Sequence, residues 1–153
     1  MKMIRCAKPD ECGQLSKLAL CSKAYWGYSD EFMAACRAEL TYSVDDIQRE
    51  TFNVLTDRNT LVGFYGLIKE SEIIYELEAL FVKPNFIGRG YGRLLVEHAK
   101  RTVIALGGVE LMIQSDPNAA DFYTRVGGQR IGERESDSIA GRYLPLFSIK
   151  LVE

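Results

Sequence analysis

The chain predicts an α/β (α+β) fold in a single domain, with a mixed, mostly antiparallel sheet flanked by helices. Three observations carry this expectation. Short runs rich in β-branched and aromatic residues alternate with apolar residues at helical spacing. Turn residues, not long crossovers, separate three successive strand candidates after Thr51. The 153 residues, 47% hydrophobic and 26% charged, suit one ordinary core, and no repeat, low-complexity tract or linker divides them.

Met3–Ala7 is a short strand candidate, and Pro9-Asp10 opens a helix whose apolar positions are Cys12, Leu15, Leu18 and Ala19. Tyr25-Trp26-Gly27-Tyr28 breaks that spacing. Ser29-Asp30 can cap a second helix through Phe32, Met33, Cys36 and Leu40. Val44–Arg49 reads as a short helical or irregular piece. Phe52–Leu55, Asn59–Ile68 and Ile73–Val82 read as an antiparallel meander, with turns at Asp57-Arg58-Asn59 and Lys69-Glu70-Ser71. After Pro84 comes a glycine-rich turn, then a helix to about Leu106 with Leu94, Leu95, Ala99, Val103 and Leu106 on its buried side. Gly107-Gly108 stops it. Val109–Gln114 is a strand. Asp116-Pro117 starts a short helix that ends at Gly127-Gly128. Arg130–Arg134 and Tyr143–Val152 are the last strands, around a polar loop at Ser136–Gly141.

Composition excludes several classes. A formal charge of −2 gives no general pull toward nucleic acid or an anionic membrane. No apolar run reaches the roughly 20 residues of a membrane span, and the first residues lack the apolar stretch of a signal peptide. Cys6, Cys12, Cys21 and Cys36 have no CxxC spacing, and His98 is the lone histidine, so neither a zinc site nor a disulfide framework is expected. The cysteines read as core positions of helices, and a reducing cytoplasm fits them best.

The turn Gly88-Arg89-Gly90-Tyr91-Gly92 carries the most information. A strand, glycines at alternate positions and a strong helix together describe a backbone anion site, flanked by Arg89 and Arg93. The expected ligand is a phosphate or pyrophosphate. The Walker pattern lacks its Lys-Ser/Thr, and the dinucleotide pattern fails where Arg93 stands in place of the third glycine. A tight connection without a ligand is the alternative.

Two motifs then resemble the GCN5-related N-acetyltransferase (GNAT) family. The first is Leu77-Glu-Ala-Leu-Phe-Val-Lys-Pro84 with Ile87-Gly-Arg-Gly-Tyr-Gly92-Arg-Leu-Leu95, similar to that family's strand and pyrophosphate loop. The second is Asn118-Ala-Ala-Asp-Phe-Tyr123-Thr-Arg-Val-Gly127, similar to its later helix. The resemblance is good from Thr51 onward and loose before it. Ile87 stands where the family usually has Gln or Arg, and Gly128 where it usually has Phe.

The resemblance implies a GNAT-like fold with acetyl-CoA as co-substrate and no metal. Backbone groups of Leu80, Phe81 and Val82 would hold the pantetheine arm. Ile87, Gly88, Arg89, Gly90, Tyr91, Gly92 and Arg93 would hold the pyrophosphate, and Asn118 would reach the coenzyme. Tyr123 is the expected general acid toward the leaving thiolate, or else a core aromatic beside Phe122. Glu78 is the expected base for a protonated amine, directly or through water, and Glu76 shares its face by alternation. Tyr25, Trp26 and Tyr28, with Asp30, Glu31, Glu76 and Glu78, suggest a wall for a cationic acceptor, although the aromatics could equally pack the helices onto the sheet.

The expected activity is therefore direct acetyl transfer to an amine: a small molecule, a peptide or a protein amino terminus. A CoA-binding sensor without turnover and a nucleotide-binding domain are the alternatives. A homodimer is possible, with Tyr143–Val152 as the pairing edge.

Overall fold

The computed structural model describes residues 1–151, so Val152 of the predicted last strand lies outside the described residues. The chain runs β1 (Lys2–Cys6), α1 (Cys12–Ala24), α2 (Asp30–Cys36), α3 (Val44–Arg49), β2 (Thr51–Asp57), β3 (Thr60–Lys69), β4 (Ile74–Val82), α4 (Tyr91–Ala105), β5 (Glu110–Gln114), α5 (Ala120–Arg125), β6 (Gln129–Glu135) and β7 (Tyr143–Lys150). The sheet is seven-stranded in the order β1-β2-β3-β4-β5-β7-β6. Every pair is antiparallel except β4–β5, which the long α4 crossover makes parallel.

One apolar layer joins the sheet to α4 and α5 through Leu95, Val96, Ala99, Val103, Tyr123 and Val126. A second joins it to α1–α3 through Leu15, Leu18, Ala19, Cys36 and Ile47. On α4 the buried stripe is Tyr91, Leu95, Val96, Ala99 and Val103. Leu94 and Leu106, expected inside, are exposed because they fall off the i, i+4, i+8 row.

Three further expectations change. The second helix stops at Cys36, where Leu40 N–H bonds to the Cys36 and Arg37 carbonyls and folds the chain into tight turns. The cysteines are not a core set: Cys36 is buried, Cys12 half-buried, and Cys6 and Cys21 exposed. Cys6 lies at the end of β1, not on a helix, and Cys21 lies off the buried row of α1. Strand β7 is not an edge. It lies between β5 and β6, with both rows of backbone groups paired, so the free edge at this end is β6.

Strand β4 carries a bulge that matters for function. Leu67 pairs with Leu77 and Gly66 with Ala79, leaving Glu78 as the extra residue. Tyr75 and Leu77 pack with α4, whereas Ala79 and Phe81, of the same parity, pack with α1. The bulge has exchanged the two faces midway along the strand.

Candidate active site

The parallel pair β4–β5 is joined only at Ile74↔Glu110, Tyr75↔Leu111 and Glu76↔Met112. Beyond Glu76 the strands separate, and one edge of β4 from Leu77 to Val82 faces a cleft of about 760 Å³. Strand edges with unpaired N–H and C=O groups accept extended, amide-bearing ligands by strand-like hydrogen bonding. Leu80, Phe81 and Val82 all line this edge.

The glycine turn closes one end of the cleft. Gly88 and Gly90 adopt φ of +84° and +85°, a conformation that side chains rarely allow. A Cβ on either would meet nothing within 4 Å, so the space over the turn is open. Gly90 begins the 15-residue α4 without a side-chain cap. Among the described residues, no protein acceptor takes the N–H groups of Gly88 through Arg93. They form an anion cradle with the helix dipole behind it. A diphosphate bound to an extended amide-containing arm fits this combination of cradle and open strand.

Not every residue of the turn faces the cleft. Ile87, Gly88, Gly90, Gly92 and Arg93 line it. The Arg89 guanidinium lies over the Phe86 ring, 5.3 Å from its centroid, on the far side of the turn. Tyr91 is buried, and its hydroxyl donates to Asp57 at 2.6 Å, so only its backbone faces an anion. Ile87 offers the cleft an apolar side chain only.

Tyr123 lies on α5, 7% exposed, against Phe122 and Phe147, and lines the cleft. Burial pushes its phenol well above the ordinary tyrosine range, with the Asp116 charge adding to the effect. It therefore keeps its proton throughout the range in which proteins work. Gly128 has a part in its placement. A Cβ there would stand 2.7 Å from the Tyr123 carbonyl oxygen and 3.2 Å from the Phe147 ring, so a side chain would displace one of them.

Glu78 lines the cleft from the bulge. Its Oε1 is buried and has no hydrogen-bond partner. Desolvation, then the neighbouring Glu50 carboxyl, then the charges of Asp46 and Glu76, push its pKa up to about 9. Glu76 also lines the cleft and is paired with Arg134 of β6. Glu39 and Asp137 are further acids in the lining.

The expected acceptor wall is divided. Trp26 lines the cleft, whereas Tyr25, Asp30 and Glu31 are exposed outside it. Tyr28 is stacked on Phe32 with ring centroids 4.0 Å apart. Its hydroxyl donates to Asp116 at 2.8 Å and accepts from Arg142 and from Asn118 Nδ2, each at 3.0 Å. Lys23 of α1 pairs with the same Asp116. Burial opposes the charge on Asp116, but the Lys23 ammonium and the hydrogen bonds of Asn118 and Tyr28 hold its carboxyl below the usual range. Asp116 and Lys23 line the cleft and form, with Arg142, a charged cluster that the sequence did not announce, since their positions are far apart along the chain. Arg125 is a further lining cation without a sequence signal of its own.

A split parallel pair beside a helix N-terminal cradle defines a binder of an extended, diphosphate-bearing ligand. Residues 22–139 match the model of the acetyltransferase (GNAT) domain. Peptidyl-lysine N-acetyltransferase YjaB of Salmonella typhimurium is 33% identical over 117 residues, 75% of each chain. Among solved structures, the PaiA N-acetyltransferase of Thermoplasma acidophilum in complex with coenzyme A has a TM-score of 0.83 at 21% identity, covering 98% of this chain and 99% of that one. An aminoglycoside 6′-N-acetyltransferase complexed with coenzyme A has a TM-score of 0.74 at 16% identity, covering 99% and 98%. The chain belongs to the GNAT family, and its activity is acetyl-CoA-dependent N-acetyl transfer.

Proposed function

We propose that this enzyme transfers acetyl directly to a primary alkylamine that enters as a cation, and that the acceptor is a lysine side chain presented by a peptide. The observation that carries this is the presence of two proton-handling groups in one cleft, Tyr123 from α5 and Glu78 from the β4 bulge, together with the lining acids Glu39, Glu76 and Asp137. The acceptor class rests on that charge and on the relatives named for peptidyl-lysine acetylation.

When bound, acetyl-CoA supplies an activated acyl group with a thiolate leaving group. The backbone of Leu80 to Val82 orients the pantetheine arm, and the N–H groups of Gly88 to Arg93 hold the diphosphate. Asn118, fixed by Tyr28 and Asp116, sits at the coenzyme side. Trp26 and Glu76 form the acceptor wall with Glu39 and Asp137. Glu78 first releases its own proton to solvent. Its carboxylate then takes a proton from the ammonium, freeing the nitrogen lone pair, and Tyr123 gives its proton to the departing sulfur. The nitrogen loses its second proton after attack, which restores Tyr123. Cys36 lines the cleft but is not needed as a nucleophile, because the acyl group moves in one transfer.

A reducing cytoplasm suits the four unpaired cysteines. Among the described residues, no helix is long and apolar enough to cross a membrane. If the chain pairs with a second copy through its sheet, β1 and β6 are the edge strands placed to do so.

The test is thiol release from acetyl-CoA with lysine-containing peptides, compared between the wild type and Tyr123→Phe. Turnover should fall about 100-fold with coenzyme affinity unchanged. Undiminished turnover in Tyr123→Phe removes the acid, and inertness toward every lysine peptide, with activity on small amines, removes the acceptor class.

A further inference from the structure

A second hollow, of about 590 Å³, adjoins the glycine turn outside the cleft. Three parts of the chain meet there. Strand β1 supplies Lys2, the β2–β3 hairpin supplies Asp57 and Arg58, and the segment around the turn supplies Phe86, Arg89 and Tyr91. Phe86 lines both spaces, so the hollow and the coenzyme cleft are neighbours across one ring.

The charge of the hollow is one-sided. Among the described residues, Lys2, Arg58 and Arg89 form no ion pair. The acid in the lining, Asp57, is already engaged by the Tyr91 hydroxyl at 2.6 Å. Two of the cations rest on aromatic faces. Lys2 Nζ is 4.8 Å from the Tyr91 ring centroid, and the Arg89 guanidinium is 5.3 Å from that of Phe86. The two rings pack edge to face, and they hold the cations beside the hollow without neutralising them.

The third cation is displayed at a conformational cost. Arg58 takes the first central position of the β2–β3 turn with φ of +52°, and Asn59 follows at +68°. Two consecutive positive values belong to a tight hairpin turn that favours Asn and Gly at its centre. Asn59 suits that turn and arginine does not. Strained backbone positions of this kind concentrate at ligand sites. Three uncompensated positive charges also stand out in a chain of net charge −2, and an anion among them relieves their repulsion.

We propose that this hollow is a second anion site, which takes a phosphate monoester through Lys2, Arg58 and Arg89. A monoester at neutral pH carries nearly two negative charges on three acceptor oxygens, which suits three cations better than a carboxylate does. Arg89 thereby serves the neighbour of the cradle and not the cradle itself. The group has two possible sources. One is the 3′-phosphate of coenzyme A, carried on the same nucleotide as the diphosphate. The other is a separate phosphorylated metabolite.

The test is calorimetric binding of coenzyme A and of 3′-dephospho-coenzyme A to the wild type, Arg58→Asn and Arg89→Gln. Arg58→Asn introduces a residue that the turn prefers, so its melting temperature should hold or rise while the site is lost. If the coenzyme supplies the monoester, the wild type binds coenzyme A roughly three- to tenfold tighter than the dephospho form, and both variants bring that ratio close to one. If a separate molecule supplies it, the two coenzymes bind alike. Inorganic phosphate then raises the melting temperature of wild type saturated with 3′-dephospho-coenzyme A, but not that of either variant. Sodium chloride at equal ionic strength is the control. The proposal is overturned if neither effect occurs or if chloride reproduces the phosphate shift. It is also overturned if only one variant loses the effect, because turn and hairpin then do not share a site.

Discussion

Glu78 shows how much a single residue can cost the fold it serves. Its pKa is raised to about 9, chiefly by desolvation. Below the ordinary glutamate range it is protonated in the folded and unfolded chain alike, and its protonation does not alter stability. Between that range and about 9 the folded state binds more protons, so stability falls steadily as pH rises. Glu78→Gln removes this penalty while keeping the shape. The variant should be more stable than the wild type by roughly 1–2 kcal/mol at pH 9 and nearly equal to it at pH 4, read from urea melts at the two values. The same variant should lose most acetyl transfer. A stabilised but inactive protein is the signature of a strained catalytic group.

Elements place these residues through close backbone approaches. The β4 bulge keeps Glu76 and Glu78 on the α1 face while turning Leu80 and Val82 toward α4. At the end of α5, Gly128 N–H bonds to the Tyr123 carbonyl at 2.8 Å, and a Cβ at Gly128 would press on that carbonyl at 2.7 Å. Gly128→Ala should therefore displace the last turn of α5. The expected cost is about 1–3 kcal/mol, seen in the urea midpoint, together with a loss of kcat that exceeds any loss of coenzyme affinity. A variant of normal stability and rate would show that α5 moves freely enough to absorb the methyl group.

Across the whole molecule, the separation of β4 from β5 opens a gap that something must bridge. Lys23 on α1 and Asp116 after β5 line the cleft there and join Tyr28 before α2 and Arg142 before β7 in one polar cluster. The Asp116 carboxyl lies below the usual range, so its contribution is complete above that range and is lost as pH falls through its folded value. Asp116→Asn should cost roughly 1–3 kcal/mol at pH 7 and progressively less as pH is lowered from 7 toward 2, and it should raise the KM for acceptor and coenzyme together. Thermal melts across that range, with initial rates at pH 7, check both effects.

The amino-acid order by itself determined the strand and helix sequence and the glycine turn before α4, because these depend on local periodicity and short spacings. Tyr123 and Glu78 stood out only through the resemblance to the GNAT motifs. It placed Leu94, Leu106 and most of the cysteines wrongly, since burial depends on which row of a helix meets the sheet. Only the tertiary structure made β7 an interior strand, set the bulge at Glu78, turned Arg89 and the Tyr91 side chain away from the cleft, and brought Asp116 to Lys23 and Glu76 to Arg134. Those pairs lie on different elements, and strand pairing alone decides which residues become neighbours.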